Sequence, residues 1–362
     1  MASDPESVPP ELREAFVDDD VVFALHGGGP CAGHASAVSR EAAGVTVVIC
    51  TYRRASSLAR FLASLRQQNE SPQALVIVDA SPDDETQRLV AEKFQGDSER
   101  HCVLYLRVRG RWKGLTRQRN YAVRWVGTKL VAFFDDDVVL MPECLAEMLR
   151  IHREPGSGVV GVGAVVHNEG PAPDARAIWR LRRRLGVVRS LEPGRYSRSG
   201  MSTPWGALPA SSPPLPGDWL PGCGMMWKTE AVAELRFNDA FQGYSLCEDV
   251  DFSLRARQKG TLIMAPAARL KHFHPPEGRL DEFRMGYFTI YNRYEAHRRG
   301  LSNRTWRDVA AFAYAWSLDS LILLRHLTSP TRARPVFQNL RGRVLAVGDL
   351  LRGLPARPSG SN

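Results

Sequence analysis

Four short and mostly apolar runs constrain most strongly how this chain can fold, because segments with helical spacing separate them. A run that is apolar at nearly every position is typical of a strand buried on both faces, as in parallel sheets covered by helices. The runs span residues 45–50, 74–78, 103–108 and 130–134. This alternation predicts an α/β fold, a doubly wound and mostly parallel sheet flanked by helices.

The polar residues at the ends of these runs indicate where a ligand would bind. Thr51, Asp79 and Asp135 each follow a predicted strand directly. Ligands of doubly wound sheets bind outside the carboxyl ends of the strands. We therefore expect the functional site at that edge of the sheet.

The charge and composition are those of a globular protein with an anionic partner. The chain has 362 residues, 44% of them hydrophobic, and a net charge of +9. Such a balance favours phosphates, nucleic acid or an anionic membrane face. No nucleic-acid-binding motif is present, so we expect no nucleic-acid partner.

The cysteines and the N-terminus indicate a cytoplasmic protein. The six cysteines are scattered without a C-x-x-C pair, which argues against a zinc ribbon or a disulfide framework and for a reducing compartment. Residues 1–20 are acidic and lack the features of a secretory signal. No stretch reaches the roughly 20 apolar residues that span a bilayer.

Composition divides the chain into four parts. We predict a flexible N-terminal extension at 1–44, a main domain at 45–282, a helical C-terminal region at 283–354 and a disordered tail at 355–362. Within the main domain, residues 170–217 are rich in Pro, Ser, Gly and Arg. This insert is either a lid or substrate-binding segment, or a surface loop without a role.

The acidic triplet Asp135–Asp137 is the strongest single signal. Neighbouring carboxylates raise one another's pKa unless a cation neutralises them. Mg²⁺ and Mn²⁺ prefer carboxylate and phosphate oxygens, so a cation here would bridge the triplet to a diphosphate leaving group. The alternative is a polar turn after a strand, where Asp is common, and the triplet alone does not decide.

Three further groups have a functional and a structural interpretation each. Asp79 would accept from a nucleotide base or ribose, or belong to a helix-capping turn. Glu248 and Asp249 precede a predicted helix at 250–259, either as a general base or as carboxylates favoured by the helix dipole. His272 and His274, on one side of a predicted strand, would complete a metal site or be ordinary surface histidines.

The order and spacing of these groups over about residues 45–299 resemble the family 2 glycosyltransferases, the inverting enzymes of GT-A fold. The resemblance implies transfer of a sugar from a nucleotide-diphosphate sugar to a hydroxyl acceptor, in polysaccharide biosynthesis or on another glycan, a lipid-linked glycan or a small metabolite. It also implies Mn²⁺ or Mg²⁺ as cofactor.

The resemblance assigns roles to individual residues. The nucleotide-sugar contacts are Thr51, Tyr52, Arg54, Asp79, Lys113, Arg119, Asn120, Asp135 and Asp136. The residues of the sugar and acceptor pocket are Trp219, Gly222 and Cys223. The catalytic residues are Asp249, as the base, and Glu248 beside it. The metal ligands are Asp137, Asp135 and His272, with His274 as the alternative to His272. One departure is the loop at 79–82, Asp-Ala-Ser-Pro, where the family often has Asp-Asp-Gly-Ser.

Two other functions remain open at this level. A sugar-phosphate nucleotidyltransferase shares the sheet and the acidic site, although it usually has a glycine-rich loop after the first strand and residues 51–54 contain no glycine. The second is a non-catalytic membrane- or polyanion-binding module on a transferase scaffold. Aromatic residues and arginines of the C-terminal helices suit peripheral contact with the inner membrane face. The same face would otherwise pack on the core or on a second subunit, and the oligomeric state is open.

Overall fold

The computed structural model describes residues 21–26, 42–94, 102–241, 245–275 and 280–357. Within them, ten strands form one sheet and ten α-helices surround it. The strands are β1 (Val21–His26), β2 (Ala42–Thr51), β3 (Ala74–Asp79), β4 (Cys102–Val108), β5 (Thr128–Asp135), β6 (Val138–Leu140), β7 (Val159–Val166), β8 (Leu215–Gly217), β9 (Gly224–Lys228) and β10 (Thr261–His272). The helices are α1 (Ala55–Arg66), α2 (Glu85–Phe94), α3 (Leu115–Ala122), α4 (Cys144–His152), α5 (Ala177–Arg184), α6 (Thr229–Leu235), α7 (Glu248–Ala256), α8 (Glu282–Gly300), α9 (Trp306–Leu324) and α10 (Ala333–Leu351).

The first half of the sheet has the predicted parallel arrangement. Strands β4, β3, β2 and β5 lie side by side and run the same way. Every residue of β3 and β4 is buried, as expected for strands covered on both faces. The register pairs Thr51 with Asp79 and Cys50 with Asp135, so the polar residues at the strand ends meet at one edge.

The second half of the sheet mixes directions. Strand β9 pairs antiparallel with both β5 and β7, and β7 pairs parallel with β10. The short β6, which follows the acidic triplet, pairs antiparallel with the end of β10 and places His272 opposite Val138. The predicted α/β sheet flanked by helices is therefore confirmed, with antiparallel strands in its second half.

Two apolar layers cover the sheet. One face packs against α1, α2 and α4 through residues such as Phe61, Val90 and Met148. The other face packs against α3, α6 and α7, with Trp227 of β9 against Phe252. These layers fix the strand ends, and therefore the site at the edge of the sheet.

The C-terminal helices form a third layer together with the insert. Helices α8 and α10 cross so closely that a Cβ atom on Gly342 would meet the carbonyl oxygen of Phe283 at 2.0 Å. The insert is not a bare loop, because it contains α5 and β8 and buries Trp179 and Met201 in one cluster with Trp316 of α9. No helix within the described ranges is both long enough and apolar enough to cross a bilayer.

Three expectations about the ends of the chain and the cysteines need correction. Residues 21–26 form β1, which pairs antiparallel with β4, although we expected a flexible extension there. In the expected tail, Arg357 pairs with Asp349. Cys102 is disulfide-bonded, so the cysteines give no support to a reducing compartment. The free thiols among the described residues are Cys50, Cys144, Cys223 and Cys247. Most of 1–44, and residues 358–362, lie outside the described residues.

Candidate active site

A cavity of about 1000 Å³ lies at the carboxyl ends of β2 and β5. It brings most of the predicted site together. The predicted residues on its wall are Thr51, Tyr52, Arg54, Lys113, Asp135, Asp136, Asp137, Trp219, Gly222, Cys223, Glu248, Asp249, His272 and His274. The predicted residues that are not on its wall are Asp79, Arg119 and Asn120.

Two side chains at and just beyond the end of β2, those of Thr51 and Arg54, contact Asp136, the middle residue of the acidic triplet. The hydroxyl of Thr51 donates to Asp136 Oδ2 at 2.6 Å, and Nη1 of Arg54 lies 3.2 Å from Asp136 Oδ1. The same Nη1 lies 3.1 Å from Asp137 Oδ2. Burial still raises the pKa of Asp136 to about 7, against the effect of Arg54 and Thr51. Asp136 is therefore committed to the protein, and the outer two aspartates are better placed for a ligand.

Asp135, Asp137 and His272 form a group with the donor set of a metal site. One oxygen of each carboxylate and one ring nitrogen lie within 4.8 Å of one another. Oδ1 of Asp137 is buried without an aligned hydrogen-bond donor among the described residues, and Nε2 of His272 lies 2.9 Å from it. A buried carboxylate oxygen without a donor needs a partner. The residues therefore fit a divalent cation bound by two carboxylates and an imidazole.

The sheet positions His272. The amide of Phe273 donates to the carbonyl of Asp137 at 3.1 Å, which extends the β10–β6 ladder to the triplet. The side chain of Asn168 bonds the backbone of His272 on both sides, at 2.8 and 2.9 Å. Burial lowers the pKa of His272, but Asp137 and Asp135 outweigh burial and raise it above its ordinary value.

His274 lies near this group but is not a member of it. Strand β10 ends at His272, and His274 adopts φ +47°. The prediction that both histidines point the same way from a strand is therefore wrong. The two ring centroids lie 3.7 Å apart with the rings tilted by 42°, so His274 contacts the ring of His272 at a tilt rather than as a ligand of the group.

Glu248 and Asp249 lie in the first turn of α7, two residues earlier than the predicted helix start. The amide of Gly222 donates to Asp249 Oδ2 at 3.0 Å, and the amide of Val250 donates to Oδ1 at 2.8 Å. Burial raises the pKa of Asp249, and burial together with the charge of Asp249 raises that of Glu248. A Cβ atom at Gly222 would lie 2.7 Å from Glu248 Oε1, so a larger residue would displace the Glu248 side chain.

Arg119 forms ion pairs with both groups of carboxylates but does not line the cavity itself. Its Nη1 bonds Glu248, and its Nη2 bonds Asp135 at 3.3 Å and the carbonyl of Gly222 at 2.9 Å. The side chain is 2% exposed. Its predicted contact with the nucleotide sugar is therefore not formed in this structure, because Glu248, Asp135 and the carbonyl of Gly222 already occupy the guanidinium.

Asn120 and Asp79 are also bound within the protein. The amide nitrogen of Asn120 donates to the carbonyl of Phe237 at 2.8 Å and to Asp239 at 2.7 Å. Asp79 is fully buried and accepts from the amide of Ser81 at 2.8 Å and the hydroxyl of Tyr105 at 2.7 Å. In this structure neither residue reaches the cavity, so their predicted nucleotide contacts are not formed by this geometry.

Several residues of the wall were not predicted. Gln118 donates to the carbonyls of Thr51 at 3.2 Å and Val78 at 2.8 Å, and so fixes the ends of β2 and β3. In the sequence, Gln118 lies four residues after Gly114 in a segment predicted to be helical. This spacing was the only sign in the sequence that could have drawn attention to it. Glu169, Arg284 and Arg293 also line the cavity, and only the fold brings them there.

Comparisons with known proteins agree with this fold. The profile of the family described as Glycosyl transferase family 2 matches residues 46–204. The mannosyltransferase PcManGT from Pyrobaculum calidifontis, solved with GDP-Man and Mn²⁺, is similar with a TM-score of 0.50 and 16% identity, over 86% of this chain and 89% of that one. GalNAc-T7, solved with UDP, GalNAc and Mn²⁺, has a TM-score of 0.50 and 15% identity, over 70% of this chain and 49% of that one. No curated protein sequence gives a significant match.

The fold is therefore that of the GT-A glycosyltransferases. Residues 46–204 form a glycosyltransferase family 2 domain, and the predicted enzyme class, a glycosyltransferase, is confirmed.

Proposed function

We propose that this enzyme transfers a sugar from a nucleotide-diphosphate sugar to an acceptor hydroxyl, with inversion at the anomeric carbon. One observation carries the proposal: a group fit for a divalent cation and a buried carboxylate, Asp249, lie on the wall of one cavity. Two of the similar structures were solved with Mn²⁺ and a nucleotide or nucleotide sugar, which supports such a donor.

Asp135, Asp137 and His272 would hold the cation. When bound, Mn²⁺ or Mg²⁺ would supply positive charge that stabilises the diphosphate as it leaves. Tyr52, which follows β2, and Lys113, which precedes α3, would bind the nucleotide end of the donor. Both residues line the cavity, and the ammonium of Lys113 lies 4.7 Å from the Tyr52 ring.

Asp249 would be the general base. It would take the proton of the acceptor hydroxyl while that oxygen forms its bond to the anomeric carbon. The bond from the anomeric carbon to the diphosphate oxygen breaks with its electron pair on the diphosphate, so a single displacement inverts the centre. The amides of Gly222 and Val250 fix the carboxylate, and burial raises its pKa toward the range of a working base.

Glu248 and Arg119 would be positioning residues. Arg119 pairs with both Glu248 and Asp135, so it would fix the distance between the base, Asp249, and the group of metal ligands. Trp219, Gly222 and Cys223 on the wall beside Asp249 would line the sugar and acceptor pocket.

A donor screen followed by product analysis tests this function. Thermal unfolding would be measured with a panel of nucleotide sugars, each with and without Mn²⁺, since a bound donor stabilises the fold by mass action. The stabilising donor would then be incubated with hydroxyl acceptors, and the anomeric configuration of the product read by NMR. We expect Mn²⁺-dependent stabilisation by one donor and an inverted product. A product with retained configuration would refute the single displacement, and no response to any donor would refute the donor class.

A further inference from the structure

Helix α9 leaves an apolar face in solvent, away from the cavity. Trp306 is 75% exposed and Leu321 is 58% exposed. The other exposed large residues of this helix are Val309, Tyr314 and Leu324. Between residues 309 and 324 no exposed residue is charged. A helix that merely faces water normally carries charged side chains there, so this face needs an apolar neighbour.

Helix α5 of the insert extends this face. The hydroxyl of Tyr314 donates to the carbonyl of Leu185 at 3.0 Å, and Arg182 pairs with Asp319. Leu181 and Leu185 are exposed beside this junction. We define the apolar face as Leu181, Leu185, Trp306, Val309, Tyr314, Leu321 and Leu324.

The charges of α5, α9 and the residues that flank them are mainly positive. Residues 176–189 contain six arginines and no acid. Within the described range 301–357 the acids are Asp308, Asp319 and Asp349, and each pairs with arginine. On α5 and at the two ends of α9, the exposed arginines that pair with no carboxylate of the described residues are Arg180, Arg183, Arg184, Arg307 and Arg325. The unpaired charges of these two helices are therefore all cationic.

We propose that the apolar face and its arginines dock on an anionic lipid surface. Apolar and aromatic side chains enter the interface while arginines bind the headgroups, with the helix in the membrane plane. A second copy of the chain fits less well, because a twofold interface would place arginine against arginine. Charge complementarity therefore favours an anionic membrane, rather than a second copy of the chain, as the partner of this face.

Docking would bring lipid close to the cavity. The inner side of α9 carries Trp316, whose ring lies 4.9 Å from the guanidinium of Arg293, and Arg293 lines the cavity. About one helix diameter, roughly 10 Å, and the contact between Trp316 and Arg293 then separate the lipid from the cavity wall. The docking itself does not depend on the sugar-transfer reaction.

Vesicle co-sedimentation of the full chain tests the proposal. Vesicles of phosphatidylglycerol and phosphatidylcholine in equal parts would be compared with vesicles of phosphatidylcholine alone, at low and high salt. The apolar variant is Trp306→Ser/Leu321→Ser, and the charge variant is Arg183→Gln/Arg184→Gln. The control, Arg88→Gln/Lys129→Gln, removes two exposed charges elsewhere. Thermal unfolding and sedimentation velocity verify that each variant folds and report its oligomeric state.

We expect wild-type and control proteins to bind the anionic vesicles, less at high salt because screening weakens the attraction. Each of the two face variants should bind about tenfold more weakly or worse. Equal binding to both kinds of vesicle, or no binding to either, would overturn the proposal. So would a wild-type dimer that the apolar variant converts to a monomer.

Discussion

The two groups of carboxylates on the cavity wall differ in the hydrogen-bond and ion-pair partners that they have within the chain. Glu248 and Asp249 have partners within the chain, from Arg119 and from the amides of Gly222 and Val250. The triplet also has partners within the chain, but Oδ1 of Asp137 lacks an aligned donor among the described residues. We infer from this difference that a cation would complete the triplet, whereas the Glu248–Asp249 pair would serve proton chemistry.

The largest effect should come from Asp249→Asn. The amide keeps the size of the side chain but cannot take the acceptor proton, so kcat should fall about 10²–10⁴-fold. Mn²⁺-dependent donor affinity should stay within a few-fold of wild type, because the triplet is intact. Initial-rate kinetics and calorimetry on the same variant check both halves, and wild-type transfer would refute the base assignment.

Arg119→Met should chiefly reduce stability. The variant leaves Glu248 and Asp135 without their buried partner, which costs about 3–5 kcal/mol of unfolding free energy. Arg153→Met, at the exposed pair with Glu70, is the matched control and should cost less than about 1 kcal/mol. Chemical denaturation of both variants measures the difference, and equal losses would contradict the role of Arg119.

His272→Ala and His274→Ala separate the two candidate ligands. His272 belongs to the group of possible metal ligands, whereas His274 is not a member and its tilted ring contacts that of His272. Loss of His272 should weaken Mn²⁺ binding by at least about 10–100-fold, the range for residues that merely support a site. Loss of His274 should weaken it by much less. Calorimetric titration with Mn²⁺ decides, and the reverse order would make His274 the ligand.

Glu248→Gln should shift the pH profile. A base works only when deprotonated, so kcat/KM rises as pH rises through its pKa, and burial places the pKa of Asp249 above that of an ordinary carboxyl. The glutamine leaves the charge of Arg119, which lowers the pKa of Asp249, without its Glu248 partner. The acidic limb should therefore move to lower pH, and an unmoved limb would show that Glu248 does not influence the base.

The sequence predicted the parallel half of the sheet well, because its strands are continuous apolar runs. It missed β9, where Met225 and Met226 lack the β-branched pattern, and it predicted only the end of β10 at His272, since the earlier part of that strand contains Pro266. Their positions depend on pairing across the sheet rather than on local preference.

The site was predicted as a set of residues but not as a set of contacts. Spacing identified Asp137, Asp249 and His272, since each lies near the end of a recognisable element. The burial of Arg119 between two distant motifs was not predictable, because it depends on how α3 meets the start of α7.

The central claim is that the triplet binds a donor through a cation. Calorimetric titration of the stabilising nucleotide sugar, with and without Mn²⁺, tests it most directly in wild type and in Asp137→Asn. We predict tight binding only for wild type with Mn²⁺, and weak, metal-independent binding for the variant. Equal Mn²⁺-dependent affinity in both proteins would contradict the claim.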